Sequence, residues 1–141
     1  MSNRLRVAFV YLGKNKALQQ STRYMINAFE KSGHTVKDID IEDTSSPINL
    51  RPYDVIFVGA SVISAFGGKI SPEVVNFLKG VVGMEGKRAV AYVQPSWFGT
   101  DKALRRLMAN MESSGAYIID FQAVKNNKDA QLLLDRQLKK R

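Results

Sequence analysis

The sequence predicts an α/β fold in which a parallel sheet carries helices on both faces, and three observations point there. Five apolar, β-branched or aromatic runs recur along the chain, separated by segments with helical spacing of apolar residues. Three of the runs are apolar nearly throughout, as strands covered on both faces must be. Short loops rich in Gly, Ser or aromatic residues follow three of the runs and lead towards helices.

The runs are RVAFVYL (6–12), TVKDIDI (35–41), DVIFVGA (54–60), RAVAYVQ (88–94) and AYIIDF (116–121). The second alternates at Ile39 and Ile41 and the fifth carries Asp120, so both suit the edges of a sheet. The first helical pattern places Leu18, Thr22, Met25, Ile26 and Phe29 on one face and stops at the Gly of KSGH (31–34). The next opens at Ser71, Pro72 and Glu73: a capping hydroxyl, a ring suited to the first helical position and a charge matched to the positive helix end. Val74, Val75, Phe77 and Leu78 supply its apolar side. A third starts at Thr100 and Asp101, runs through Leu104, Leu107, Met108 and Met111, and ends at Gly115. The last puts Ala130, Leu133, Leu134 and Leu138 on one face. Only residues 42–53 join runs two and three, so the crossover there is abbreviated to about one helical turn.

A chain of 141 residues suits one domain, 1–141, with a single core. No apolar stretch approaches the roughly 20 residues that cross a bilayer, and residues 1–6 lack the apolar core of a signal peptide, which predicts a soluble, cytoplasmic protein with no membrane partner. There is no Cys and the only His is His34, which rules out thiol chemistry and Cys- or His-based metal sites. His34, at a helix-stop turn, reads as structural and solvent-facing. Lys and Arg exceed Asp and Glu by 8 (21 against 13), enough to attract acidic proteins or nucleic acid in a salt-dependent way. Much of that surplus is expected on solvated faces and at the carboxyl-terminal tail. No dinucleotide fingerprint, P-loop or Gly-x-Ser-x-Gly elbow occurs.

In such sheets ligands sit beyond the carboxyl ends of the strands, where strand order reverses. The candidates are therefore GKNKAL (13–18), SVISAFGGKIS (61–71) and QPSWFGT (94–100), which follow runs one, three and four. The second and third have the composition expected where a flat heterocycle lies between loops. Trp97 and Phe98, adjacent and bounded by Pro95 and Gly99, cannot both point into one core, so at least one is expected to be exposed or ligand-covered.

Nearly the whole chain resembles the flavodoxin-like family. RVAFVYLGKNKALQQSTRYMINAFEKSGHTV is similar to its first strand, loop and helix, including the GH turn; YDVIFVGASVISAFGGKISPEVVNFLKG is similar to its third strand, second loop and Ser-Pro helix start; GKRAVAYVQPSWFGTDKALRRLMANMESSGAYIID is similar to the segment from its fourth strand to its fifth. The resemblance implies a three-layer sandwich around a five-stranded parallel sheet in the order 2-1-3-4-5, with FMN as the cofactor. It also implies that the first loop wraps the phosphate while the second and third flank the isoalloxazine ring. A phosphoacceptor receiver domain shares the strand order, but no acidic pair follows VAFVYL and VIFVGAS lacks the acceptor Asp.

The family's phosphate loop has roughly the form Ser/Thr-x-Thr-Gly-x-Thr. At those six places stand Gly13, Lys14, Asn15, Lys16, Ala17 and Leu18, with all three hydroxyls missing. Two readings follow: either Lys14 and Lys16 replace neutral hydrogen bonds by charge, with Asn15 and the N–H groups of residues 14–18 completing the site, or this is a solvated turn on a fold that has lost its ligand. The remaining cofactor-binding candidates are Ser61, Val62, Ile63, Ser64 and Phe66 in the second loop and Gln94, Pro95, Ser96, Trp97, Phe98 and Gly99 in the third. The resemblance implies an electron carrier or flavin-dependent redox protein, with no side chain acting as acid or base and a redox partner to match. The family's soluble carriers are usually acidic, so a charge of +8 implies an acidic partner protein or a different role. The alternative is a flavin-free interaction module whose basic face binds an acidic protein or, as the weaker choice, nucleic acid, with Trp97 and Phe98 as the contact.

Overall fold

The computed structural model describes residues 4–44, 47–63 and 68–139. Its strands are β1 (Arg6–Tyr11), β2 (Thr35–Asp40), β3 (Val55–Ser61), β4 (Arg88–Gln94) and β5 (Tyr117–Ala123), and its helices are α1 (Lys16–Lys31), α2 (Pro72–Gly80), α3 (Thr100–Ser113) and α4 (Asn127–Lys139). All pairings are parallel, in the order β2-β1-β3-β4-β5. The sheet and its flanking helices form the three-layer sandwich that the sequence predicts.

The alternation of the central strands divides the core in two. Phe9, Tyr11, Phe57 and Tyr92 turn to one face, where they meet Leu18, Met25 and Phe29 of α1 and Leu133 and Leu134 of α4. Val10, Val58, Ala91 and Val93 turn to the other, against Val74 and Leu78 of α2 and Leu104, Leu107 and Met111 of α3. The first face is aromatic: Phe9 stacks on Phe57 with centroids 4.4 Å apart, and Phe29 meets Phe57 edge-on at 5.3 Å. Fully burying each such ring contributes about 1.5–3 kcal/mol. The predicted face of α1 is buried throughout.

Among the described residues between β2 and β3, a 3₁₀ turn, Ile41–Asp43, stands where a crossover helix would be. Leu50, fully buried, covers that part of the sheet instead, and its N–H donates to Val82 O at 2.7 Å. The fifth strand runs two residues beyond the predicted 116–121 and contains a bulge opposite Ala89/Val90. Because of the extra residue, the neighbours Ile119 and Asp120 both turn towards α4, where Asp120 receives Arg136 Nε at 3.0 Å and Gln137 Nε2 at 2.8 Å. Burial pushes the Asp120 carboxyl up, but these bonds and the Phe121 N–H outweigh it and hold it below the usual range.

His34 corrects the expectation of a solvent-facing ring. It is half-buried, its Nδ1 accepts the Leu5 N–H at 3.0 Å, and its ring lies against Phe29. It ties the start of β1 to the end of α1, which is a structural task. Among the described residues no helix is long and apolar enough to cross a membrane.

Candidate functional site

The carboxyl ends of β1, β3 and β4 release three loops along one edge of the sheet, and the floor beneath them is closely packed. Tyr92 is wholly buried, shares a 2.6 Å hydrogen bond with Thr22 of α1, and lies so close over Gly59 that a Cβ there would overlap its ring. Beside it Tyr11 donates to Asp38 Oδ1 at 2.7 Å. Burial pushes both phenols up; Asp38 reinforces the effect at Tyr11, so each OH stays protonated. Thr22 is thus part of the floor, a turn inside the helix, and does not face the first loop.

The first loop is closed by its own polar groups. Gly13 N–H donates to Asp40 Oδ1 at 2.9 Å, and any side chain at position 13 would run into that carboxylate. Asn15 is the N-cap of α1, its Oδ1 accepting the Leu18 N–H at 2.9 Å. The Leu18 side chain is buried in the core. Lys14 reaches across to the first turn of α2, with Nζ 2.9 Å from Glu73 Oε2 and 4.0 Å from Glu42 Oε2. Hydrogen bonding to Glu73 holds the lysine above its ordinary range, and the same bond holds the Glu73 carboxyl below its own. Lys16 is exposed and Ala17 half-buried. Among the described residues, the N–H groups of Lys14, Asn15, Lys16 and Ala17 meet no acceptor.

The second loop turns back on itself: Val62 bridges Ile70 in antiparallel fashion, and Ile63 N–H donates to Lys69 O at 2.9 Å. Ser61 and Val62 are half-buried and Ile63 is exposed. Ser64 and Phe66 lie outside the described residues. A cleft of about 380 Å³ runs from this loop to the first, lined by Leu12, Lys14, Asn15, Val62, Ile63 and Glu73 among others.

The third loop is tied near its ends and exposed in its middle. Thr100 Oγ1 donates to Ser96 O and accepts Ser96 N–H, and Gly99, at φ 77°, turns the chain into α3. Pro95 and Ser96 are half-buried. Gly68 of the second loop sits against Gly99 O with no room for a side chain, and Val62 N–H donates to Gln94 O at 3.3 Å, so these two loops touch. Beyond the contact Trp97 is 93% exposed, Phe98 58% and Ile63 54%. Both adjacent aromatics are exposed, where the sequence required at least one. Gln94 Oε1 is buried and has no donor among the described residues.

The structure therefore gathers the described candidates of all three loops at one edge. Sequence reading missed Asp40, Glu42 and Glu73 as partners of the first loop. Glu73 read only as a helix-dipole charge and Asp40 only as an edge-strand residue; the 2-1-3 strand order, which sets both beside the end of β1, was the available signal.

No protein-family model and no curated protein matches the sequence, whereas solved structures match over most of its length. The oxidised flavodoxin 1 of Bacillus cereus is 15% identical, with 94% of this chain and 95% of that one covered at a TM-score of 0.77. The two-electron reduced flavodoxin of Megasphaera elsdenii is 20% identical, covering 87% and 88% at 0.73. A variant of the Fusobacterium nucleatum flavodoxin bound to flavin mononucleotide is 11% identical, covering 82% and 68% at 0.62. At such identities the likeness is one of architecture: this chain adopts the flavodoxin-like fold.

Proposed function

We propose that the chain binds a flavin non-covalently at the carboxyl edge of its sheet, FMN being the cofactor that the sequence resemblance implies, and that it serves in electron transfer. The observation that carries this reading is the bare apolar surface of Trp97, Phe98 and Ile63 on two loops that touch at Gly68 and Gly99. An indole that leaves 93% of its surface in water loses solvation cost when a flat ring covers it. The aromatic pair and Ile63 would hold the ring, Ser61, Val62 and Gln94 would lie towards its polar edge, and the first loop would meet the side chain. The flavin supplies one- and two-electron chemistry when bound. The protein's part is to orient the ring, exclude water from one side and set the local charge.

Trp97 is the only tryptophan, so its fluorescence reports on this site alone. Adding FMN or riboflavin is expected to quench it in a saturable way. Protein that purifies colourless and shows no quenching with either flavin overturns the reading.

A second reading, an interaction module without flavin, is favoured by one observation. Lys102, Arg105 and Arg106 are exposed at helical spacing on α3, beginning just after Trp97 and Phe98. A row of cations beside exposed aromatics suits an acidic protein surface, or nucleic acid as the weaker choice. Retention on an anionic matrix that does not fall with added salt, or survives Lys102→Glu plus Arg105→Glu, removes its support.

A further inference from the structure

The first loop carries an inference about which flavin the cleft accepts, and it rests on the flavin reading above. An anion entering the cleft would be drawn to the start of α1, where four consecutive N–H groups, from Lys14 to Ala17, have no acceptor among the described residues. Yet the side chains around that helix end carry the opposite message. Asp40 is bonded to Gly13 N–H, Glu73 is bonded to Lys14 Nζ and lines the same cleft, and Glu42 stands 4.0 Å from that ammonium. Three carboxylates thus stand at this helix end, two of them around the Lys14 ammonium.

We infer that this cleft selects a flavin whose side chain ends in a hydroxyl over one that ends in a phosphate, and that Glu73 is the residue that decides it. The Lys14–Glu73 pair is exposed and weak in itself, so breaking it is not the main obstacle. The obstacle is what remains: a dianion that takes Lys14 leaves Glu73 ionised, without its partner and beside the new charge. Lys14 is the group that holds the Glu73 carboxyl below its ordinary range, so a dianion that takes Lys14 removes what offsets the Glu73 charge. A neutral polyhydroxyl chain meets none of this repulsion. Its oxygens accept from the free N–H groups and its hydroxyls donate to Glu73, leaving the ion pair in place.

The test compares riboflavin and FMN by fluorescence titration of the whole chain at neutral pH and low salt. The unmodified protein is expected to bind riboflavin at least as tightly as FMN, and excess inorganic phosphate is expected not to displace it. Glu73→Gln, at an exposed position, is expected to tighten FMN about tenfold while riboflavin changes less than about threefold; added salt should shrink the difference. Glu42→Gln should act in the same direction and less. FMN binding ten times tighter than riboflavin in the unmodified protein overturns the inference and leaves the flavin reading standing, and so does a Glu73→Gln effect that is equal for both ligands. Binding of neither flavin overturns both together.

Discussion

The loop after β1 directs its side chains and two of its N–H groups inward or sideways: Gly13 to Asp40, Asn15 to Leu18, Lys14 to Glu73. The loop after β4 is tied through Ser96 and Thr100 and leaves much of Trp97 and Phe98 exposed. Both leave the same edge of the same sheet, yet in one Lys14 is held by a carboxylate and in the other large aromatic side chains stand exposed. A loop whose Lys14 is already paired suits a ligand that does not compete for it. A loop with a bare indole gains from any flat apolar ring that covers it. The contrast between the two loops is open to experiment.

The largest effect is expected at the floor the loops share. Gly59→Ala would place a methyl inside the Tyr92 ring, which Thr22 holds from behind, so overpacking should cost about 3 kcal/mol in urea unfolding. A cost near zero would mean that the floor yields and does not position the loops. Next comes the closed loop: Gly13→Ala forces Asp40 away from the Gly13 N–H and should cost about 1–3 kcal/mol by the same measurement. For the open loop, Trp97→Ala should change stability by less than about 0.5 kcal/mol while weakening flavin binding at least tenfold. A large loss of stability there would place the indole in the fold and erase the contrast.

The smallest effect is the titration of Glu73. Its carboxyl is held below the ordinary 4.5 by the bond from Lys14, so its pairing is present above that value and is lost as pH falls through the lower folded one. Carboxyl resonances followed by NMR should show a midpoint below 4.5 that returns towards it in Lys14→Ala. A midpoint that does not move would detach Lys14 from Glu73 in solution.

The elements of the fold were legible because each is written locally. The apolar runs of β1, β3 and β4 and the stripe of Leu18, Met25, Ile26 and Phe29 on α1 need only the periods of strand and helix. The neighbourhood of the three candidate loops was legible, since parallel strands end at one edge, and so was the exposure of the aromatic pair. The electrostatics of the loops were not. Lys14 looked like a cation available to a phosphate, and it is bound to a carboxylate 59 residues further on. His34 looked like a turn residue in water, and its ring bridges Leu5 and Phe29.

What the sequence determined by itself is thus the alternation of strand and helix, the two apolar faces of the sheet and the edge from which the three loops leave, all consequences of local spacing. The tertiary structure decided the partners: Gly13 with Asp40 across 27 residues, Thr22 with Tyr92 across 70, and the bulge that turns Asp120 to Arg136. The physical reason is that periodicity fixes which way a side chain faces along its own element, whereas a hydrogen bond or an ion pair needs a second group brought within about 3 Å by the packing of another element.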